Sequence, residues 1–269
     1  MKRIAIILCL LAGTAGVQAQ TPPATPNANA APRVSNEPTP LDLNDHTGWQ
    51  SMFDGSTLKG WDGPLDSWRV ENGMITTSSK AENPQGSVYL FWGAGKLKNF
   101  EFKVELKLEG EGANSGVQFR ATRLGPTEKK NSQWESRGYQ ADYTFSGSAA
   151  GSIIECCMGP RRGVPPRSDR ARIGTVVRTA LAEGQKPNVV GIIGDPVELK
   201  KFVRIGDWNE IYLVVRGNTI MYFINGHLMS ILLDDNTKMM NAEGELAIQL
   251  EGRGDMKGYF RNLWIRPLP

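Results

Sequence analysis

The chain has 269 residues, with 31 basic and 28 acidic side chains for a formal net charge of +3, and 40 % of its residues are hydrophobic. That apolar content excludes a wholly disordered chain, and the even charge balance gives no basis for a nucleic-acid binder. Thirty glycines, about 11 % of the chain against roughly 7 % in an average protein, together with 22 aromatic residues favour a turn-rich β protein over a helical bundle.

Lys2 and Arg3 precede an apolar run, Ile4–Leu11, and Val17-Gln18-Ala19 supplies small residues just before Gln20. This is the pattern of a cleaved secretory signal over residues 1–20. The run is too short to span a bilayer and nothing later approaches 18 consecutive apolar residues, so a periplasmic or extracellular protein without a membrane span is expected. Cys9 lacks the small residues that precede a lipidated cysteine, so no lipid anchor is expected. Residues 21–45 carry six prolines among Ala, Asn and Thr and read as a disordered linker. Residues 46–269 remain as one domain. Beyond Cys9 the only cysteines are the neighbours Cys156 and Cys157. They cannot staple distant elements and are read as reduced, buried thiols, so a hydrophobic core must supply the stability.

Strand signals then follow in close succession. Trp68–Glu71 and Met74–Thr76 flank Asn72-Gly73, a favoured hairpin turn. Ser87–Trp92 is a short apolar strand. Phe100, Phe102, Val104, Leu106 and Leu108 alternate with Glu101, Lys103, Glu105 and Lys107, a period of two with one face buried and the charged face expected to be solvated. Further strands are expected at 115–121, 138–145, 152–156, 210–215, 219–224, 227–233, 245–250 and 259–266. No helical pattern recurs between them, so βαβ units are excluded and the expected fold is all-β: a two-sheet antiparallel sandwich or jelly roll. Residues 158–206 interrupt the pattern as a long inserted loop. Six arginines stand against the single acid Asp169 between 161 and 178, and 175–183 is expected to form a short helix. A functional loop and a plain solvated excursion both stay open for this stretch.

Common catalytic signatures are missing: there is no Gly-x-Ser-x-Gly elbow, no phosphate-binding glycine loop and no His-Glu-x-x-His. His46 and His227, the only two histidines, sit at a domain edge and after a hairpin turn. Strand alternation instead places polar groups opposite the core. Gln118 and Arg120 are expected to face away from Val117 and Phe119. Gln140 and Asp142 share a face, Glu155 ends the apolar pair Ile153-Ile154, Gln249 and Glu251 share a face, and Arg261 lies opposite Phe260. Planar amides, carboxylates and guanidinium groups gathered on the concave side of one sheet suit the vicinal hydroxyls of a sugar, on which aromatic rings can stack.

These residues also resemble a known family. Phe53-Asp54-Gly55 with Leu58 and Gly60-Trp61 is similar to the opening motif of the 3-keto-disaccharide hydrolase family. Trp68-x-Val70-Glu71-Asn72-Gly73, Phe100-Glu101-Phe102, Asn114-Ser115-Gly116-Val117-x-Phe119-Arg120, Gly138-Tyr139-Gln140-Ala141-Asp142, Trp208-Asn209-Glu210, Asn225-Gly226 and Phe260-Arg261-Asn262-Leu263 continue the resemblance from about residue 49 to 268. It implies a concanavalin A-like jelly roll, often in exported proteins, acting on glycosides oxidised at sugar carbon 3. Carried over by position, the concave-face set is Asn114, Gln118, Arg120, Gln140, Asp142, Glu155 and Gln249. Ser152-Ile-Ile-Glu-Cys-Cys departs from the Gly-x-Leu/Ile-Tyr strand common in relatives.

A ketone at carbon 3 acidifies the hydrogen on carbon 2, so a base can form an enolate that expels the group at carbon 1, and water then adds back. Such a reaction needs one base and one stabiliser of negative charge. The expected base is Glu155 or Asp142, and the expected stabiliser is Arg120 or a divalent cation held by the carboxylates. Asn114, Gln118, Gln140, Gln249, Glu251 and Arg261 are expected to bind the saccharide. A carbohydrate-binding module without catalysis, or an interaction protein tethered through 21–45, are the alternatives.

Overall fold

A computed structural model describes residues 45–126, 132–156, 170–179, 187–237 and 240–269. The expected signal segment, nearly all of the linker, Cys157 and much of the arginine-rich stretch lie outside these residues. In chain order the strands are β1 (Gln50–Ser51), β2 (Trp61–Asp62), β3 (Trp68–Glu71), β4 (Met74–Ser79), β5 (Gly86–Trp92), β6 (Phe100–Glu109), β7 (Asn114–Arg123), β8 (Ser136–Thr144) and β9 (Ser152–Cys156). They continue with β10 (Arg170–Ala171), β11 (Thr175–Arg178), β12 (Asn188–Ile192), β13 (Asn209–Arg216), β14 (Thr219–Ile224), β15 (His227–Leu233), β16 (Glu245–Gly252) and β17 (Met256–Pro267). Among the described residues there is one short α-helix, α1 (Pro196–Lys200), which begins at Asp195, whose carboxylate accepts from the Val197 amide.

Two sheets form a jelly-roll sandwich. The first runs β12-β11-β15-β14-β13-β6-β17-β4-β3, with β1 joining β17, and the second runs β10-β9-β8-β7-β16-β5-β2. Among the described residues every pairing is antiparallel except β11 with β15. The expected helix at 175–183 is corrected over its described part. Thr175-Val176-Val177 is β-branched, and it lies between β12 and β15 as a strand. The described parts of 158–206 therefore carry strands and a helix rather than plain loop.

The core lies between the sheets. Phe100, Phe102, Val104, Leu106 and Leu108 of β6 are all buried, as the alternation requires. Phe100 meets Phe119 edge-on, and Phe119 stacks on Tyr139 at 5.8 Å, tying β6 in one sheet to β7 and β8 in the other. Each such side chain contributes roughly 1.5–3 kcal/mol on burial.

The charged face of β6 is only partly solvated, with Glu101, Glu105 and Lys107 half-buried. Lys103 is 3 % exposed. Its ammonium lies 4.8 Å from the Trp49 ring and 5.6 Å from the Tyr212 ring, because residues 45–49 lie across this face. Glu210, opposite Glu105 in the ladder, is drawn into the same covered layer. Burial, with the like charge of Glu105, raises its carboxyl pKa, although Lys103 opposes the shift. Ionised Glu210 therefore destabilises the fold, and the penalty grows as pH rises from the unfolded carboxyl value toward the raised folded one. Glu210→Gln should melt about 2 °C above the parent at pH 7, the gap closing below about pH 4 in a calorimetric series.

Of the register shifts in the two sheets, two fall at candidate residues. In β7 the register shifts between Phe119 and Thr122, with Arg120 in the left-handed region at φ 46°. Gly244 packs so closely there that a Cβ on it would stand 2.3 Å from the Arg120 carbonyl carbon. In β17 the register shifts between Arg261 and Trp264.

Candidate functional site

The face of the second sheet turned away from the core is polar at its centre. On β5 it presents Ser87, Tyr89 and Phe91; on β16 Ala247, Gln249 and Glu251; on β7 Asn114, Gly116 and Gln118; and on β8 Ser136, Gly138, Gln140 and Asp142. The ladder aligns Gln249 with Tyr89, Gln118 with Gln140, and Gly116 with Asp142.

Tyr89 is the hub. Its hydroxyl donates to Gln140 Oε1 at 3.2 Å and accepts from Gln118 Nε2 at 3.4 Å and Gln249 Nε2 at 3.1 Å. Gln140 Nε2 donates to Gln249 Oε1 at 2.9 Å and to Asp142 Oδ1 at 3.4 Å. Gln249 Nε2 also reaches Ser87 Oγ and Glu251 Oε2, each at 3.1 Å. Its two hydrogens thus face three acceptors. Ser136 Oγ donates to Gln118 Oε1. The network is deeply set: Ser87 is half-buried at its edge, and the two carboxylates, Asp142 at 6 % and Glu251 at 9 %, are less deeply buried than the three glutamines. Arg253 pairs with Glu251 from the surface.

One end of this face is aromatic. Trp134, in a 3-10 turn (Ser132–Trp134), packs against the cluster of Tyr89, Phe91 and Ala247, and the Arg123 guanidinium lies 4.0 Å over the Phe91 ring. Burial works against the Arg123 charge, but bonds to Glu245 at 2.9 Å and Asp62 at 2.6 Å outweigh it and leave its pKa raised.

Five of the sequence-derived residues, Gln118, Gln140, Asp142, Gln249 and Glu251, meet in this network. Asn114 lies on the same face at the start of β7, with its Oδ1 buried and unbonded. Three others are elsewhere. Arg120 does not accompany Gln118, because the bulge reverses the alternation. It is 1 % exposed, and its Nε and Nη2 donate to the Lys98 carbonyl at 2.9 and 2.7 Å. Burial lowers its pKa, against the pull of Tyr139 and Asp234. Glu155 pairs in register with Tyr139 and so points between the sheets with Ile153, while Asp142 pairs with Ser152 on the opposite face. Asp142 and Glu155 therefore cannot share a cation, and among the described residues no three His, Cys, Asp or Glu side chains are grouped to hold one. Arg261 belongs to the other sheet, where its Nε donates to Glu105 at 2.6 Å and its guanidinium covers Trp208 at 4.0 Å.

Sequence reasoning missed Tyr89, Ser87, Ser136 and Trp134. The first two are readable, since alternation along Ser87–Trp92 separates Ser87, Tyr89 and Phe91 from Val88, Leu90 and Trp92. Around Arg120 and Glu155 a second buried polar group forms: Tyr139 Oη donates to Asp234 Oδ2, Thr179 Oγ1 donates to Asp234 Oδ1 at 3.0 Å, and the Asn241 amide donates to Tyr139 Oη at 3.3 Å. It joins the end of the second sheet to the segment after β15.

Comparison with known proteins agrees with this architecture. A 3-keto-disaccharide hydrolase of Bacteroides thetaiotaomicron is 32 % identical over 94 residues, a stretch covering 32 % of this chain and 31 % of that protein. The match thus spans about a third of the relative's length. Two crystal structures of candidate glycosyl hydrolases from Parabacteroides distasonis share the fold with TM-scores of 0.50, at 17 and 18 % identity, covering 83 and 82 % of this chain and 95 and 99 % of theirs. The model of a carbohydrate-active family, the 3-keto-alpha-glucoside-1,2-lyase-like domain, matches residues 48–266, and the chain belongs to that family.

Proposed function

We propose that this protein cleaves 3-keto-glycosides on the outer face of its second sheet. The observation that carries the reading is the amide array of Gln118, Gln140 and Gln249, organised by Tyr89 and flanked by the carboxylates of Asp142 and Glu251. Asp142 serves as the base. It takes the proton from sugar carbon 2, and the C–H electron pair forms the C2–C3 double bond of an enolate whose charge rests on the carbon-3 oxygen. The enolate re-forms the ketone, the double bond moves to C1–C2, and the group on carbon 1 leaves with its bonding pair and picks up a proton. Water then adds at carbon 1 while carbon 2 is reprotonated. With Arg120 turned to the core side, stabilisation of the enolate falls to the N–H groups of the glutamine amides. Glu251 accepts sugar hydroxyls, and Trp134 offers a ring for a pyranose face. The leader pattern of residues 1–20 supports action outside the cytoplasm.

The test is cleavage of a 3-keto-disaccharide in deuterated water. Product labelled at carbon 2 is expected. Cleavage without label overturns proton abstraction, and tight binding of the oxidised sugar without any turnover makes the protein a binding module instead.

A further inference from the structure

Three sequence motifs are not used by this face, and they converge on the other sheet. Phe53-Asp54-Gly55, Asn72-Gly73-Met74 and Arg261-Asn262-Leu263 line one cavity of about 470 Å³. Its origin is topological. β17 pairs with β4 as far as Phe260 and with β1 from Trp264, and the bulge between them leaves a notch in the sheet. The turn after β3 forms one wall, the segment after β1 the other, and the bulge the floor.

The groups facing the notch are mixed. Asn72 and Asn262 sit in the left-handed region at φ 50° and 51°, and both are exposed. Asn262 donates its Nδ2 to Glu105 Oε1 at 2.7 Å and keeps its Oδ1 as an acceptor. Arg261 gives its Nε to Glu105 and retains its terminal nitrogens as donors. Phe53, Met74 and Trp264 supply apolar wall, and the Trp264 ring is stacked on His46 at 4.2 Å. The Arg261 charge is already matched by Glu105, and the acidic Asp54, whose carboxylate accepts from Ser56 and Thr57, lies in the same lining, so an anion gains little here.

Planar donors and acceptors beside partly exposed rings, in a cavity of small-ligand size and without net positive charge, fit a neutral pyranose. We infer that this notch is a second saccharide-binding site, one for an unoxidised neutral hexose unit, on the sheet opposite the reacting face. It holds a sugar chain by a unit other than the one being cleaved. Binding here does not depend on the chemistry proposed for the other sheet.

The experiment is titration of the isotopically labelled full-length protein with methyl glucoside and with maltose, followed through the side-chain amides of Asn72 and Asn262 and the indole N–H of Trp264. Saturable shifts of these signals are expected, with millimolar affinity. Asn72→Gly keeps the left-handed turn and removes the amide, and it should weaken binding about tenfold. Ser51→Trp, at an exposed position on the rim, should abolish it. Neither variant should change turnover of a 3-keto-disaccharide at saturation. Absence of any shift at 100 mM sugar (on the order of the weakest useful affinity), shifts confined to Gln140 and Gln249, or undiminished binding in both variants would each overturn the inference.

Discussion

Asp142→Asn is expected to lower turnover of a 3-keto-disaccharide by about 10²- to 10⁴-fold, the usual share of a positioned base, with little change in melting temperature. The two side chains have the same shape, and an asparagine Oδ1 can still accept from Gln140 Nε2, now at 3.4 Å from Asp142 Oδ1. What is lost is the capacity to take a proton. Exchange of the carbon-2 hydrogen with solvent should fall in parallel with cleavage, because both begin with the same abstraction. Glu155→Gln gives the contrast. That carboxylate lies between the sheets beside Tyr139, so its replacement should move the melting temperature and leave exchange at carbon 2 intact. Full activity in Asp142→Asn, or loss of exchange in a folded Glu155→Gln, would place the base on the wrong side of the sheet. Glu251→Gln should act mainly on KM, since its oxygens receive Gln249 and Arg253 at the rim of the network.

Period-two alternation accounts for one side of this contrast and not the other. It gives the face of Gln118, Gln140, Asp142, Gln249 and Glu251 because β7, β8 and β16 run straight through those positions and a straight strand cannot do otherwise. It fails at Arg120 because one residue in the left-handed region resets the parity, and a bulge at an arginine carries no local sequence signature. At Glu155 the parity holds, but it points inward: Ile153 is a core residue, so the position two further on faces the core as well. Arg261 is misplaced for another reason. Alternation tells which side of its own sheet a residue faces, not which of two sheets it is in, and β17 belongs to the first. The solvated face expected for β6 is covered at Lys103 by residues 45–49, which no pattern within β6 could announce. Turn motifs such as Asn72-Gly73 are legible as turns. That they meet at one notch depends on strand order.

Gly116→Ala should destabilise the domain by about 2 kcal/mol or more and lower its melting point by about 5 °C or more. A glycine-to-alanine change in a strand ordinarily helps, because it restricts the unfolded chain. Here the sign reverses. A Cβ at Gly116 would stand 2.6 Å from the Ala141 carbonyl oxygen and 3.0 Å from Gln140 Cγ, and one of those neighbours is backbone. The missing side chain is what lets Gln140 lie flat across β7 and reach Gln249 and Tyr89. Stability and site geometry are thus joined at one atom. In the variant KM should rise together with the loss of stability. Adding Gln140→Ala should recover only the part of the stability loss that comes from the side-chain contact, leaving the strain against Ala141, so the two effects will not add. A melting temperature unchanged or raised in Gly116→Ala would mean that the glutamine does not cross the strand there, and the amide array on which the chemistry depends would lose its central member.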